Sequence, residues 1–126
     1  MVSRLLLVMA GGALGALGRY GVSQWAHRSF GAGYPMGTTI VNLGGAFLFG
    51  LIWTITEQRF QLGPAWQVFL LSGALGAFTT FSTFAFENAE LLSVGRWQMA
   101  LINIGAQNIL GVGAVFVGVF LGKQLA

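Results

Sequence analysis

The densest run of chemically capable side chains is Ser72-Gly73-Ala74-Leu75-Gly76-Ala77-Phe78-Thr79-Thr80-Phe81-Ser82-Thr83-Phe84-Ala85-Phe86-Glu87. Hydroxyls and aromatic rings alternate there, after a pair of glycines. On a helix Phe81 and Phe84, at i and i+3, share one face, and Thr80 and Thr83 share its neighbour. Two further polar pairs fall at i, i+4: Thr38 with Asn42, and Asn103 with Gln107, with Asn108 adjacent to the second. Amides carry both donors and acceptors. A Phe ring has a negative face and a positive edge. Hydroxyls, amides and ring edges together can replace the water around a small, tightly hydrated anion. Lacking a full positive charge, they also let it go, as conduction requires. The plainer reading of the same residues is helix–helix hydrogen bonding and ring packing, and sequence alone leaves both open.

The elements that must position these groups follow from composition. The 126 residues are 56% hydrophobic and 7% charged. Soluble domains carry about 25% charged residues, so this chain cannot clothe a water-facing surface and its solvent must be lipid. Charge and turn signals cut it into four pieces long enough to cross a bilayer, each near the roughly 20 apolar residues required. They run from Arg4 to Trp25, Gly37 to Thr56, Trp66 to Leu92 and Trp97 to Gly122. The expected fold class is an all-α membrane protein, one domain over residues 1–126, with four transmembrane helices. Leu5 to Ala10 resembles a signal-peptide core. The apolar run continues to Trp25, longer than such a core, so a retained first span is expected.

The hydroxyl run falls near the middle of the third span. Gly73, Gly76 and a series of Ser/Thr weaken a helix there, because the hydroxyls can bond their own carbonyls. A break at that depth is expected, tolerable only if the freed groups are buried or line a cavity. Freed carbonyls are hard oxygen ligands for an alkali cation. Elsewhere Gly11, Gly15 and Arg19 share a face, and Gly118 and Gly122 form a second small-residue pair, letting backbones approach closely. The strings Gly12–Leu17 (GALGAL) and Gly73–Phe78 (GALGAF) are nearly identical, a match that duplication or chance in Gly/Ala-rich sequence both produce.

With four spans both termini lie on one side. That side carries Arg4, Arg59 and Lys123; the other carries Arg28 and Arg96, with Arg19 if it snorkels that way. The excess that normally sets orientation is nearly absent. Either topology should insert, which makes an antiparallel homodimer an expectation. The net charge of +3 comes from scattered cations, which excludes a nucleic-acid partner. No cysteine and one histidine exclude a thiolate or His-rich metal site. No GxxxxGK[ST] motif is present, which excludes a nucleotide-driven pump of that type.

Gly76-Ala77-Phe78-Thr79-Thr80-Phe81-Ser82-Thr83-Phe84, followed by Glu87, resembles the signature of the Fluc (CrcB) fluoride channels, close to GG-x-TTFSTF-x-x-E. Gly37-Thr38-x-x-x-Asn42-Leu43-x-Gly45 is similar to the family's second-helix motif, and Gly15-x-x-x-Arg19-Tyr20 to its first. The resemblance covers the whole chain. It implies passive export of fluoride across the bacterial plasma (inner) membrane by a multi-pass, antiparallel, dual-topology homodimer with two pores. It implies a central structural Na⁺ held by the backbone carbonyls of Gly76 and Thr79. Phe81 and Phe84 are then pore-lining ring edges, and Asn42 donates its amide to the ion. Thr80, Ser82 and Thr83 become polar positions beside the rings. Glu87 is the acid that follows, and Arg19 the first-helix arginine. Ala77 stands where a second glycine is usual. Asn103 and Gln107 replace Tyr and Ser found in some relatives, so the fourth-helix track is built from amides, drawn from Asn103, Gln107 and Asn108.

Two other classes compete. A small dual-topology cation-drug/proton antiporter also has four short helices, but it needs a membrane-embedded carboxylate. Here the first span has no acid, Glu57 sits at a loop, and Glu87 and Glu90 lie near the end of the third span. A helper subunit without transport would use the polar residues only to join helices. An enzyme is not expected, since no nucleophile–base pair is visible.

Overall fold

A computed structural model describes residues 1–60 and 63–125, the side chains of 59 and 60 excepted. Arg59, counted among the flanking cations, therefore has a side chain outside the described set. Among the described residues the chain is all helical, and four helical stretches are long and apolar enough to span a membrane: Val2–Phe30, Met36–Gln58, Pro64–Ser93 and Trp97–Leu125.

Helix α1 (Val2–Phe30) stops at Gly31, whose φ of 73° only glycine adopts freely. Its last turn carries His27 and Arg28, suited to the negative end of the helix. Pro35 precedes α2 (Met36–Ile55), which continues through one wider π-type turn, Thr56–Phe60. Pro64 opens α3 (Pro64–Gln67), where its missing N–H costs nothing. Wider turns over Val68–Leu75 lead into α4 (Gly76–Phe78). Thr79 (ψ 157°) and Thr80 (φ −149°, ψ 108°) are extended, and α5 (Phe81–Ser93) begins after them. Gly95, at φ 77°, turns the chain into α6 (Trp97–Leu125).

The first helix runs five residues past the expected end at Trp25, and the fourth runs past Gly122. At 29 residues each these helices are roughly 43 Å long, more than the hydrocarbon alone needs. Charged residues mark where a helix leaves the lipid, not where its hydrogen bonds stop.

Burial is inverted relative to a soluble protein. Among the described residues only Ala26, Val41, Leu71, Leu75, Phe84 and Ala100 form a buried apolar core, while Leu, Ile, Val and Phe cover the outside. Lipid solvates that exterior, and the helices are held by close packing and polar contacts. The most extensive pairing is α2 along α6, followed by α1 along the Val68–Leu75 segment. Both are glycine contacts. A Cβ on Gly118 would fall on the Phe47 carbonyl, and one on Gly50 on the Val115 carbonyl. A Cβ on Gly15 would likewise meet the Ala74 carbonyl, so the two similar GALGA strings lie against each other. At the loop end Arg96 Nη2 donates to Gly33 O at 2.7 Å, tying the first and third connections together.

Candidate functional site

The two extended residues in the third span create a local debt. Thr80 N–H has no helical acceptor, and a buried unpaired backbone group is expensive. Asn42, projecting from α2, meets it. Thr80 N donates to Asn42 Oδ1 at 2.7 Å, and Asn42 Nδ2 donates back to Thr80 O at 3.1 Å. Thr80 also caps α5: its Oγ1 accepts from Thr83 N at 3.3 Å and donates to Thr83 Oγ1 at 2.9 Å.

Behind Asn42 lies a buried string of amides. Asn42 Nδ2 donates to Gln107 Oε1 at 2.7 Å. Gln107 Nε2 donates to Asn103 Oδ1 at 2.8 Å and to Thr39 Oγ1 at 3.2 Å. Asn103 Nδ2 donates to Asn88 Oδ1 at 3.0 Å, and Asn88 Nδ2 to Phe84 O at 2.8 Å. The Tyr34 hydroxyl donates to Asn103 Oδ1 at 3.0 Å. Both N–H groups of Asn42 and both of Gln107 are thus spent inside the protein.

A cleft of about 360 Å³ opens beside this string, lined by Asn42, Thr80, Phe81, Phe84, Gln107 and Asn108 among others. The ring centroids of Phe81 and Phe84 are 5.7 Å apart, with planes at 46°. Phe84 is buried, but Phe81 is 78% exposed, so the cleft is open on its side. Asn108 is exposed and donates only one hydrogen bond, to Ile104 O at 2.8 Å. Of the two fourth-helix amides that line this cleft, Asn108 is the one with an N–H not engaged among the described residues.

The remaining expected site residues, apart from Thr79, which also lines this cleft, lie elsewhere. Thr83 and Glu87 border a second cleft of about 510 Å³ at the loop end, with Thr38, Ser23, His27 and Arg96. Thr38 Oγ1 donates to Glu87 Oε1 at 2.6 Å, and Glu87 Oε2 is buried without a partner among the described residues. Gly76 and Thr79 border a third hollow of about 280 Å³ with Gly45 and Leu75. Ser82 is exposed, its Oγ 3.5 Å from Thr80 Oγ1. Arg19 is half-buried on α1 and lines none of these three clefts. Sequence reasoning misses Asn88, Thr39 and Tyr34. A usable signal for Asn88 exists: Thr80, Phe84 and Asn88 are i, i+4, i+8 on one face of α5.

Residues 6–119 match the family model described as "CrcB-like protein, Camphor Resistance (CrcB)". The chain belongs to the CrcB family. It is 43% identical over 122 residues to a protein of Maridesulfovibrio salexigens named "Fluoride-specific ion channel FluC", covering 97% of each chain. Proteins of the same name from Parabacteroides distasonis and Solidesulfovibrio magneticus are also 43% identical. The first match covers 97% of this chain and 94% of the relative, the second 99% and 100%. Similarity of that extent reaches the interrupted third span, the amide string and both clefts of this CrcB chain.

Proposed function

We propose that this CrcB chain is a fluoride channel that exports the ion passively, as a multi-pass protein of the bacterial inner membrane. The carrying observation is the cleft where Phe81, Phe84, Thr80, Asn42, Gln107 and Asn108 converge, in a chain whose relatives are named fluoride-specific channels. Fluoride must shed tightly bound water to pass. The positive rims of two rings, a free amide N–H of Asn108 and the Thr80 region supply weak, multiple attraction in its place. Among the described residues no lysine or arginine lines this cleft, so none of them holds the anion too long.

The channel works as an antiparallel, dual-topology homodimer with two pores. Two observations support this reading. The cationic flanks are nearly balanced between the two ends. Phe81, the outer ring, stands 78% exposed at the open side of its cleft, where a second chain would complete the wall.

A structural sodium ion at the centre of the dimer belongs to the same reading, and the donor chemistry of Gly76 and Thr79 fits it. In an unbroken helix Gly76 O would accept from Thr80 N, which here bonds Asn42. Thr79 O would accept from Thr83 N, which here bonds Thr80 Oγ1. Both carbonyls have lost their helical donors, and such hard oxygens suit an alkali cation. The ion would supply a fixed positive charge joining the interrupted spans of two chains.

The test is efflux of fluoride from liposomes holding the purified protein, read with a fluoride electrode. Wild type releases fluoride. Phe84→Ile and Phe81→Ile each lower the rate about tenfold or more, the loss of roughly 1.4 kcal/mol of ion stabilisation, while the dimer elutes unchanged. Full flux in both variants would remove the ring-edge mechanism.

A further inference from the structure

We infer that Asn88 is a positioning residue: it anchors one end of the string of amides that runs to Asn42, and so holds the ring-bearing turn of α5. Its effect on transport rests on the channel reading above. Its geometry rests on hydrogen-bond direction alone.

The string starts at the Phe84 carbonyl, which can only accept. Asn88 therefore gives it Nδ2, at 2.8 Å, and must turn Oδ1 toward Asn103. Asn103 answers with Nδ2 at 3.0 Å, which leaves Oδ1 for Gln107. Gln107 gives Nε2 at 2.8 Å and presents Oε1 to Asn42. Asn42 gives Nδ2 at 2.7 Å, and its Oδ1 is left facing Thr80 N at 2.7 Å. Reversing any one amide places donor against donor or oxygen against oxygen, and the conflict passes to the next. The string thus runs between two groups of fixed polarity, the Phe84 carbonyl and the Thr80 N–H, and four side chains share the one direction that both allow.

The path is also closed. It leaves α5 at Phe84, crosses to α6 and α2, and returns to α5 at Thr80, the cap of the same helix. Phe81 and Phe84 ride on the turn between those two points. Asn103 is 0%, Asn88 5% and Gln107 8% exposed, so a misdirected amide has no water to turn to. Tyr34 donates to Asn103 Oδ1 at 3.0 Å and enforces the same direction from the loop. These buried amides act on the ion through the backbone of Thr80 and Phe84, since Asn42 and Gln107 have no N–H to spare.

The test combines two readouts on the full-length protein in bilayers. One is the side-chain amide signals of ¹⁵N-labelled Asn and Gln. The other is fluoride flux and the fluoride-to-chloride flux ratio per folded dimer. Asn88→Leu should shift or double the signals of Gln107 and Asn42, neither of which touches residue 88. It should also lower fluoride flux about tenfold, the scale of one buried amide left unpaired, and reduce the ratio. Changes confined to Asn103, with the wild-type ratio retained, would overturn the inference. If Asn88→Leu does not fold, Asn88→Ala, which removes the same amide and adds no bulk, carries the same test. A shift reaching Asn42 supports the orienting string, and one confined to Asn103 contradicts it. Wild-type protein without fluoride flux would sink the channel reading, and the amide signals would still decide the role of Asn88.

Discussion

Helices α2 and α6 touch along most of their length, yet the two ends of that contact are built differently. At one end Gly50 and Gly118 let carbonyls of the opposite helix sit where side chains would be. At the other, Asn42 and Thr39 of α2 join Gln107 of α6 through directed hydrogen bonds, and Gln107 in turn donates to Asn103 on its own helix. The glycine end sets distance. The buried Thr54 there is satisfied within its own helix, donating to Gly50 O at 2.8 Å, and dispersion at close range holds the contact. The amide end sets orientation, because each donor must find its acceptor. The site adjoins the amide end. Positioning an ion path calls for side chains with one allowed direction, while joining helices calls only for space.

That contrast can be broken at either end. Gly118→Leu drives a side chain into the Phe47 backbone, and overpacking of this kind costs about 1–3 kcal/mol or more. We expect the largest effect here: loss of the monodisperse dimer on size-exclusion chromatography, and flux lost with it. Asn42→Leu should leave the fold largely assembled but strand Thr80 N–H and the Gln107 carbonyl. Each stranded group costs about 1–3 kcal/mol. Fluoride efflux should fall about a hundredfold or more, with a lower melting temperature. Asn108→Leu touches neither end of the contact, only the cleft. Efflux should drop a few-fold, about the worth of one net hydrogen bond, with the melting temperature unchanged. Equal losses of stability in Asn42→Leu and Asn108→Leu would erase the distinction between brace and ion contact.

Much of the architecture is legible in composition. A chain with so few charges and four apolar runs leaves little choice but a bundle of spans. Helix ends are less legible, since His27 and Arg28 remain helical beyond the lipid. Within the site, residue type and spacing point to Asn42, Thr80, Phe81, Phe84, Gln107 and Asn108, which line one cleft. The same reasoning groups Thr83 and Glu87 with them, but those two face the loop-end cleft, because α5 carries them around to a different side. Asn88 and Tyr34 escape altogether. Asn88 stands beside Glu87 near the end of a span and reads as interfacial, and Tyr34 lies in a Gly/Pro turn. Their partner Asn103 is 15 residues away from one and 69 from the other. No local period encodes a meeting at that separation.

The central claim is that ring edges, hydroxyls and amides, with no lysine or arginine among the described residues of their cleft, conduct the smallest halide selectively. Parallel efflux of fluoride and chloride from one liposome preparation tests it most directly. The account predicts rapid fluoride release with chloride retained. Release of both ions at similar rates, or of neither, would contradict it.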